Sequence, residues 1–348
     1  MRNKLLTNIT LSTLLIFSLN FFIGCSKNNK VTEPLTRTEA LMGTVVKVTL
    51  YDSDDLKVLD KAFDRVREIE KSVSINDVGT ILDEVNNYSG IHPVKVDEDT
   101  FTIVKKGIEY AKLSNGLFDI TIGPLVKLWS IGLPEARVPS KEEIESVLGY
   151  INYTDIELNE NDKSIFLKNP NMLIDLGGIA KGYAADEISE VLTENGVNSA
   201  IIDLGGNVYT HGTKVTGEDW NVGIQNPIST RGDILGTIKV NNKSIVTSGT
   251  YERFIEEDGV KYHHILNPKT GYPYENNISG ISIISDKSID GDALSTSVFA
   301  MGLEYGLEFI ESQQNVEAIF VTTDKKVYLS SGMKTVFNLT NTEFQLAN

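Results

Sequence analysis

The tetrapeptide Asp-Leu-Gly-Gly occurs twice, at Asp175 and again 28 residues later at Asp203, and this repeat constrains the fold more than any other feature of the chain. Each copy follows a short apolar run, residues 172–174 and residues 200–202. The segment between the copies has the apolar spacing of a helix that stops at Gly196. Strand, helix and strand with glycines at both strand ends predict one βαβ unit whose two glycine loops open at the same edge of a sheet.

The first copy leads directly into the predicted helix, with Lys181 in its first turn. Glycines let a backbone approach a ligand closely, and a helix start offers unpaired N–H groups and partial positive charge. This combination favours a phosphate or diphosphate site, although an ordinary turn with a surface lysine has the same pattern. The dinucleotide fingerprint Gly-x-Gly-x-x-Gly does not occur in the sequence. Since ligands bind beyond the carboxyl ends of such strands, we expect Asp175 and Asn207 to face one cleft.

Length and charge bound the class of protein. The 348 residues suffice for one large domain or two intertwined lobes, and a composition of 41% hydrophobic and 23% charged residues is globular. A formal net charge of -16 argues against a nucleic-acid partner, which normally meets a basic face. It does not exclude an anionic ligand, because a lysine and a divalent metal can reverse the sign of the charge inside a cleft.

The N-terminus has the pattern of a secretory signal. Arg2 and Lys4 precede an apolar run over residues 5–23, and the only cysteine of the chain, Cys25, follows it. This resembles a bacterial lipobox in which Phe22 stands in place of the usual leucine. We therefore expect a cleaved signal peptide and a lipidated cysteine; the alternative is an uncleaved transmembrane anchor with an incidental cysteine.

A diacylated Cys25 would hold the protein at the cell membrane on its extracytoplasmic face, because two acyl chains anchor stably. The sequence thus predicts three segments: a signal peptide over residues 1–24, a lipid-anchored tether over 25–36 and the folded domain over 37–348. With a single cysteine there is no internal disulfide, so stability depends on the core.

Periodicity and capping signals predict the main elements of the domain. The predicted helices cover residues 56–73, a face over 101–111 capped from Asp97 or Asp99, a short helix opened by a capping box at Ser140 and Glu143, and residues 291–301. The predicted strands cover residues 41–50, 208–210, 222–225, 234–240, 244–247 and 278–285, with a hairpin turn at Asp258-Gly259 and a closing hairpin over 318–323 and 327–330.

Histidine is scarce, since the chain contains four. A zinc site would require these four to converge. His264 precedes an apolar pair and an Asn-Pro turn, so alternation would turn it inward and turn His263 outward. A loop histidine is a candidate general base, and a surface histidine is the alternative. Asp119 lies between apolar residues in a turn that it would ordinarily cap.

A second candidate group lies on the last predicted helix. Asp292, Ser295 and Thr296 stand at positions i, i+3 and i+4, so their oxygens would share one face. A carboxylate with hydroxyls and water suits Mg²⁺, which bridges substrate phosphates. The alternative is an aspartate at a helix start with hydroxyls bonded back to the helix.

Taken together, the motifs resemble the ApbE family of FAD:protein FMN transferases. Six segments carry this resemblance in the order of the family: Met42-Gly43-Thr44, residues 116–124, residues 175–183, residues 203–207, residues 264–271 and residues 292–296. The resemblance covers nearly all of the chain after the signal peptide. It implies an α+β fold in which mixed sheets are flanked by helices and two lobes enclose the flavin in a cleft.

The resemblance also implies the activity: Mg²⁺-dependent cleavage of FAD at its diphosphate and attachment of FMN to a Thr or Ser hydroxyl, with AMP released. The acceptor would be an extracytoplasmic subunit of a membrane redox complex that carries an Asp-x-x-Ser/Thr-Ala/Gly-Thr site. The residues that would contact FAD are Met42, Leu117, Phe118, Asp119, Asp175, Lys181 and His264. The residues that would hold Mg²⁺ are Gly178, through its carbonyl, Asp292, Ser295 and Thr296.

Some members place an aromatic residue that stacks on the flavin in the loop after the first helix, where this chain has Asn76. In the implied chemistry, Mg²⁺ on Asp292 and Thr296 would neutralise charge on the phosphoryl oxygens. His264 is the candidate base for the acceptor hydroxyl. Self-modification is not expected, because Ile245 stands where an acceptor site requires aspartate. Two alternatives remain: a Mg²⁺-dependent FAD diphosphatase and a non-catalytic flavin- or solute-binding lipoprotein.

Overall fold

The computed structural model of the chain describes residues 33–229 and 232–348. Within these residues there are eight α-helices and seventeen β-strands. The helices are α1 (Leu56–Val73), α2 (Ile81–Asn87), α3 (Glu98–Leu113), α4 (Gly123–Trp129), α5 (Lys141–Leu148), α6 (Ala180–Glu194), α7 (Ser288–Met301) and α8 (Leu303–Ser312). The strands are β1 (Leu35–Leu41), β2 (Thr44–Leu50), β3 (Val94–Lys95), β4 (Ile156–Asn159), β5 (Ser164–Leu167), β6 (Ser199–Leu204), β7 (Asn207–Gly212), β8 (Trp220–Gln225), β9 (Ile234–Val240), β10 (Lys243–Gly249), β11 (Phe254–Glu257), β12 (Val260–His263), β13 (Ile278–Ser285), β14 (Val316–Thr322), β15 (Lys326–Leu329), β16 (Phe337–Leu339) and β17 (Gln345–Leu346).

A nine-stranded sheet organises the molecule, in the order β1-β2-β6-β7-β10-β13-β14-β15-β17. Adjacent strands of this sheet run antiparallel, except that β15 and β17 run parallel to each other. All eight residues of β13 are buried, as expected for a strand covered on both faces. Smaller sheets, β16-β9-β8, β3-β5-β4 and β11-β12, complete the α+β architecture that was expected, and that class is confirmed.

Two layers cover the large sheet. Ile281 and Ile283 of β13 join the main hydrophobic cluster, which α1, α6 and α7 close from one side. Ile284, pointing the other way, joins a second cluster with the β16-β9-β8 sheet. A third, small cluster lies between α4 and α5 around Trp129. Alternation along the central strands therefore separates two cores, as the period of two requires.

The predicted βαβ unit is wrong. β6 pairs antiparallel with β2 and β7, and the apolar run before Asp175 is not a strand of this sheet. Its Leu173 forms only an isolated bridge with Ile122. The Asn86 side chain accepts from the Ile174 N–H at 2.7 Å and donates to the Ile174 carbonyl at 3.1 Å. A side-chain amide thus satisfies the Ile174 backbone groups that a partner strand would otherwise bind, so this apolar run needs no strand.

The sheet begins before the predicted domain boundary. Leu35 and Thr36, assigned to the tether, pair with Leu50 and Thr49 of β2, because the chain reverses at residues 42 and 43 and returns as a hairpin. The lipidation site Cys25 and the signal peptide over residues 1–24 lie outside the described residues. None of the helices in the described ranges combines the length and apolar character that crossing a membrane requires.

Candidate active site

A cavity of about 1200 Å³ opens where the three hydrophobic clusters meet. Phe118 of the main cluster, Val222 at the β8 sheet and Leu266 beside α4 all line it. Its volume exceeds that of an ordinary pocket for a small ligand. The cavity is therefore large enough for a dinucleotide-sized molecule.

The cavity gathers nearly every residue that the sequence singled out. Those that line it are Met42, Asn76, Leu117, Phe118, Asp119, Asp175, Gly178, Lys181, His264, Asp292 and Thr296. Both Asp-Leu-Gly-Gly copies reach it, and Asp175 and Asn207 line the same space. The expectation that these two residues face one cleft is confirmed, although the strand topology behind it is wrong.

Asp175 shapes the first glycine loop. Its Oδ1 accepts from the Gly177 N–H at 2.7 Å, and its own N–H donates to the Ile120 carbonyl at 2.8 Å. Burial raises the pKa of this carboxyl above its ordinary value, which the Gly177 N–H opposes in part. Asp175 thereby holds the loop in place immediately before α6.

The start of α6 has no side-chain cap of its own. Instead, the Gly182 N–H donates to Asp292 Oδ2 of α7 at 2.9 Å. Glycine is required at this crossing, because a Cβ on Gly182 would lie 2.3 Å from the Ser288 carbonyl oxygen. In return, Asp186 of α6 accepts from the N–H groups of Ser288 and Ile289 at 2.8 and 3.0 Å. The two helices cap each other, which fixes Asp292 at the cavity wall.

Lys181 lies in the first turn of α6, as predicted. Its Nζ donates to the Gly177 carbonyl at 2.7 Å and lies 3.4 Å from both carboxylate oxygens of Asp292. The Lys181 side chain is 25% exposed and that of Asp292 is 5% exposed. The ammonium group therefore lies at the boundary between a buried carboxylate and the open cavity.

Three of the expected metal ligands, Gly178, Asp292 and Thr296, line the cavity. Gly178 lies beside Thr296, since a Cβ on the glycine would be 3.6 Å from Thr296 Oγ1, and Asp292 is one helical turn before that threonine. The three residues line the same cavity, and a set of carboxylate, hydroxyl and carbonyl oxygens is of the type that binds Mg²⁺. The described part of the chain has no group of three or more His, Cys, Asp or Glu side chains that could hold a metal ion. A metal here would depend on hydroxyl and carbonyl oxygens.

Ser295 does not join this group. It is fully buried, its Oγ donates to the Asp292 carbonyl at 2.8 Å, and it lies 2.8 Å from Ser248 Oγ on β10. The spacing i, i+3, i+4 was expected to place its hydroxyl with those of the other ligands. Position i+3 instead faces β10, so the alternative of a hydroxyl bonded back to the helix holds for this residue.

His264 lines the cavity at the end of β12. Its N–H donates to the Arg253 carbonyl at 3.1 Å, and its Nδ1 lies 3.3 Å from the same oxygen. Burial, together with the nearby positive charges of Arg253 and Lys181, lowers the pKa of this imidazole to about 4, and the hydrogen bond to the Arg253 carbonyl opposes the shift. Because a carbonyl can only accept, Nδ1 carries the proton of the neutral ring and Nε2 keeps a free lone pair.

The neighbouring His263 was expected to point outward, and that expectation is wrong. His263 is buried, its Nε2 lies 2.9 Å from the Tyr274 carbonyl, and its ring meets Phe299 edge to face. Strand alternation ends with His263, the last residue of β12, so it does not fix the direction of the next residue.

Asp119 keeps the structural role first considered for it. Oδ1 accepts from the N–H and the hydroxyl of Thr121 at 2.8 and 2.7 Å, and Oδ2 accepts from the Tyr153 N–H at 3.0 Å. Burial raises the pKa of this carboxyl, whereas these bonds lower it. Asp119 thus ties the loop before α4 to the chain around Tyr153 and lines the cavity at the same time.

Two cations at the cavity were missed by the sequence analysis. Arg253 Nη2 donates to the Gly43 carbonyl at 3.0 Å, and Lys127 lines the cavity from α4. Both act with Lys181 to lower the pKa of Asp175 against the effect of burial. Lys127, Lys181 and Arg253 are the cations among the described residues that line the cavity, and they offset part of the negative charge of its carboxylates. Neither Lys127 nor Arg253 belongs to a recognisable motif, so no signal in the sequence identified them.

The Met42-Gly43 turn completes the wall. Both residues have positive φ, 55° and 66°, and the Met42 N–H donates to Glu70 Oε1 at 2.6 Å. Gly205, in the second Asp-Leu-Gly-Gly copy, packs directly on this turn, because a Cβ there would lie 1.9 Å from Thr44 Oγ1. The β1–β2 hairpin and the second glycine loop thus hold each other at the cavity.

The chain is similar in sequence to known proteins. A family model described as the ApbE family matches residues 42–320. An FAD:protein FMN transferase of Klebsiella pneumoniae (strain 342) is 35% identical over 306 residues, which cover 88% of this chain and 95% of the relative. One from Treponema pallidum (strain Nichols) is 33% identical over 89% of this chain and 90% of its own length.

Solved structures agree with the sequence relatives. The crystal structure of the ApbE protein from Thermotoga maritima matches with a TM-score of 0.80 at 29% identity, covering 87% of this chain and 99% of that one. The flavin transferase ApbE from Vibrio cholerae matches with a TM-score of 0.79 at 27% identity, over the same shares of the two chains.

Proposed function

Because this chain belongs to the ApbE family, we propose that it is an FAD:protein FMN transferase, the activity named for its relatives. The resemblance noted from its motifs is confirmed by the family match. The observation that carries the proposal is the convergence of all six motifs, separated by up to 250 residues of chain, on one cavity of about 1200 Å³.

The proposed substrate is FAD, bound with its diphosphate against the start of α6. Lys181 supplies positive charge at this point, and the Gly178 backbone, which lines the cavity beside it, would offer an N–H donor. Leu117 and Phe118 provide apolar contacts on the same wall. Asn76, which is exposed beside the cavity, offers no ring for stacking on the flavin.

Mg²⁺ is part of the proposal. Asp292, Thr296 and the Gly178 carbonyl would hold it, without Ser295. When bound there, a divalent cation would neutralise charge that develops on the phosphoryl oxygens. Asp292 is fixed for this role by the Gly182 N–H at 2.9 Å.

His264 is the proposed base. A Thr or Ser hydroxyl of the acceptor protein gives its proton to Nε2, and its oxygen forms a bond to the FMN-side phosphorus of FAD. The bond from that phosphorus to the bridging oxygen breaks, and AMP leaves with the electron pair. With a pKa lowered to about 4, His264 is neutral at physiological pH and free to accept the proton.

Full-length protein in detergent, incubated with FAD, MgCl₂ and a threonine-bearing acceptor peptide, tests the proposal. We expect the peptide to gain the mass of one FMN. His264→Ala should lower this transfer by at least about 100-fold while FAD still binds. The control is His92→Ala, since His92 is exposed and lies outside the cavity.

An unmodified peptide together with FMN and AMP in solution would identify the diphosphatase alternative. FAD that stays intact with Mg²⁺ present would identify a non-catalytic flavin-binding protein. Transfer at wild-type rate by His264→Ala would remove His264 from the mechanism.

The location of the enzyme is also proposed. The basic head, the apolar run and Cys25 support a lipid anchor on the extracytoplasmic face, where a subunit of a membrane redox complex would be the acceptor. Metabolic labelling with a fatty acid should mark the wild type and not Cys25→Ala. Equal labelling of the two would contradict the anchor.

A further inference from the structure

Lys181 and the proposed metal ion require the same carboxylate. The Lys181 ammonium lies 3.4 Å from both oxygens of Asp292, so it faces the carboxylate symmetrically. Asp292 Oδ2 also accepts from the Gly182 N–H, and the side chain is only 5% exposed. Few lone pairs of this carboxylate therefore remain for a further cation while the ammonium is in place.

Sharing the carboxylate between two cations is unfavourable here. Like charges repel more strongly beside a buried group than in bulk water, because the local dielectric constant is lower. Asp175, a second carboxylate in the loop before α6, already accepts a hydrogen bond from the Gly177 N–H. A metal ion that binds Asp292 without any other change would thus lie close to the Lys181 charge and share one carboxylate with it.

The diphosphate of FAD would relieve this conflict. The only other contact of the Lys181 ammonium in the described structure is the Gly177 carbonyl at 2.7 Å, which belongs to the loop that lines the cavity. Its side chain is 25% exposed and carries a flexible stem, so rotation brings the charge towards the cavity. Asp292, Lys181, a divalent ion and a diphosphate together are electrically neutral, whereas the metal without the diphosphate leaves excess positive charge.

We propose that Lys181 acts as an internal competitor for the metal site, released from Asp292 by the diphosphate, so that metal and FAD bind cooperatively. This role rests on the proposed function and deepens it. Each ligand favours the arrangement that the other needs, and by linkage the enhancement is the same in both directions. The enzyme would then load metal tightly only when its nucleotide substrate is present.

Mn²⁺ is a suitable probe, because its electron paramagnetic resonance signal reports free ion directly, without catalysis. With the full-length wild type, we expect Mn²⁺ affinity to rise roughly ten-fold when FAD is added. Lys181→Met keeps the stem and removes the charge. Mn²⁺ alone should bind this variant roughly ten-fold more tightly than the wild type, and FAD should add little.

Three further variants make the result specific. Lys127→Met removes another cavity cation that does not contact Asp292, and it should leave the affinity for Mn²⁺ alone unchanged. Lys181→Arg keeps the charge and should bind Mn²⁺ as weakly as the wild type. Asp292→Asn should abolish binding, which places the ion. Circular dichroism verifies that each variant is folded.

Equal affinity of Lys181→Met and wild type for Mn²⁺ alone would overturn the proposal. So would equal tightening in Lys181→Met and Lys127→Met, since that would reflect general charge and not competition at Asp292. These binding results are independent of the peptide assay. If the protein transfers FMN but Lys181→Met does not change Mn²⁺ affinity, the proposed function stands and this inference fails. If Lys181→Met binds Mn²⁺ more tightly but no FMN is transferred, this inference stands and the proposed function fails.

Discussion

Ser295 and Thr296 are adjacent on α7, but their hydroxyl groups face different surroundings. Thr296 lines the cavity beside Gly178, whereas Ser295 is buried and bonded to the Asp292 carbonyl and to Ser248. The sequence gives both residues the spacing of a metal ligand relative to Asp292. Only packing against β10 separates them, and helical spacing contains no information about which sheet strand lies opposite.

Thr296→Val, which removes the hydroxyl and keeps the shape, should therefore weaken Mg²⁺-dependent transfer by at least about ten-fold, as loss of a metal-supporting group does. Ser295→Ala is the matched control and should keep the metal dependence of the wild type. Titration of the transfer rate with MgCl₂ measures both. A larger Mg²⁺ requirement in Ser295→Ala than in Thr296→Val would reverse the assignment.

His264 was a candidate from its residue type and its loop position, with a surface histidine as the alternative, and the structure places it on the cavity wall. Arg253 was not, although its carbonyl orients that histidine and its guanidinium holds the Met42-Gly43 turn. Its contact with the Gly43 carbonyl joins residues that are 210 positions apart in the chain. Long-range contacts of a lone surface arginine have no local pattern, so a single sequence cannot reveal them.

At the scale of elements, α6 and α7 position the site through mutual capping. Asp186 holds the first N–H groups of α7, and burial raises the pKa of its carboxyl to about 6, with Asp290 adding to the rise and Lys287 opposing it. The helices themselves were predictable from their apolar spacing. Their crossing was not, because it depends on Gly182 meeting Ser288.

The raised pKa of Asp186 predicts how the free energy of unfolding changes with pH. A carboxyl whose pKa is higher in the folded than in the unfolded state stabilises the fold fully below the unfolded value, and that contribution is lost as pH rises through about 6. Asp186→Asn lacks this titration. From pH 4 to pH 7, the free energy of unfolding of the variant should therefore improve relative to wild type by about 1–2 kcal/mol.

Urea denaturation at both pH values measures the change. Glu190→Gln is the control, since Glu190 lies exposed on the same helix. A difference between Asp186→Asn and wild type that stays constant with pH would show that Asp186 does not titrate in this range.

At the scale of the whole molecule, the order of the strands in the large sheet could not be predicted from the sequence. The separate strands β9 and β13 have the predicted bounds, because alternation and turn residues are local signals. The order β1-β2-β6-β7-β10 depends on pairings between distant segments. The βαβ unit was predicted wrongly because these pairings leave no local pattern. The Asn86 amide binds the Ile174 backbone groups that a neighbouring strand would have bound.

One of those distant contacts can be tested. Gly205→Ala places a Cβ 1.9 Å from Thr44 Oγ1, and Gly217→Ala, also at positive φ, meets nothing within 4 Å. Both variants carry left-handed strain of about 1 kcal/mol, and only the first adds overpacking of about 1–3 kcal/mol. Gly205→Ala should also weaken FAD binding, because it displaces the turn that carries Met42.

Chemical denaturation and flavin fluorescence titration give the two quantities. We expect Gly217→Ala to bind FAD as the wild type does. If both variants lost the same stability and the same affinity, the hairpin and the second glycine loop would not support each other.

The walls of the cavity come from residues as far apart as Met42 and Thr296. During synthesis, therefore, no nascent fragment that ends before α7 contains a complete nucleotide pocket. Occupancy by the nucleotide would then report that the span from Met42 to Thr296 has folded as one unit. By mass action it also protects the entire domain from unfolding and degradation, so the supply of cofactor would set the lifetime of the enzyme as well as its rate.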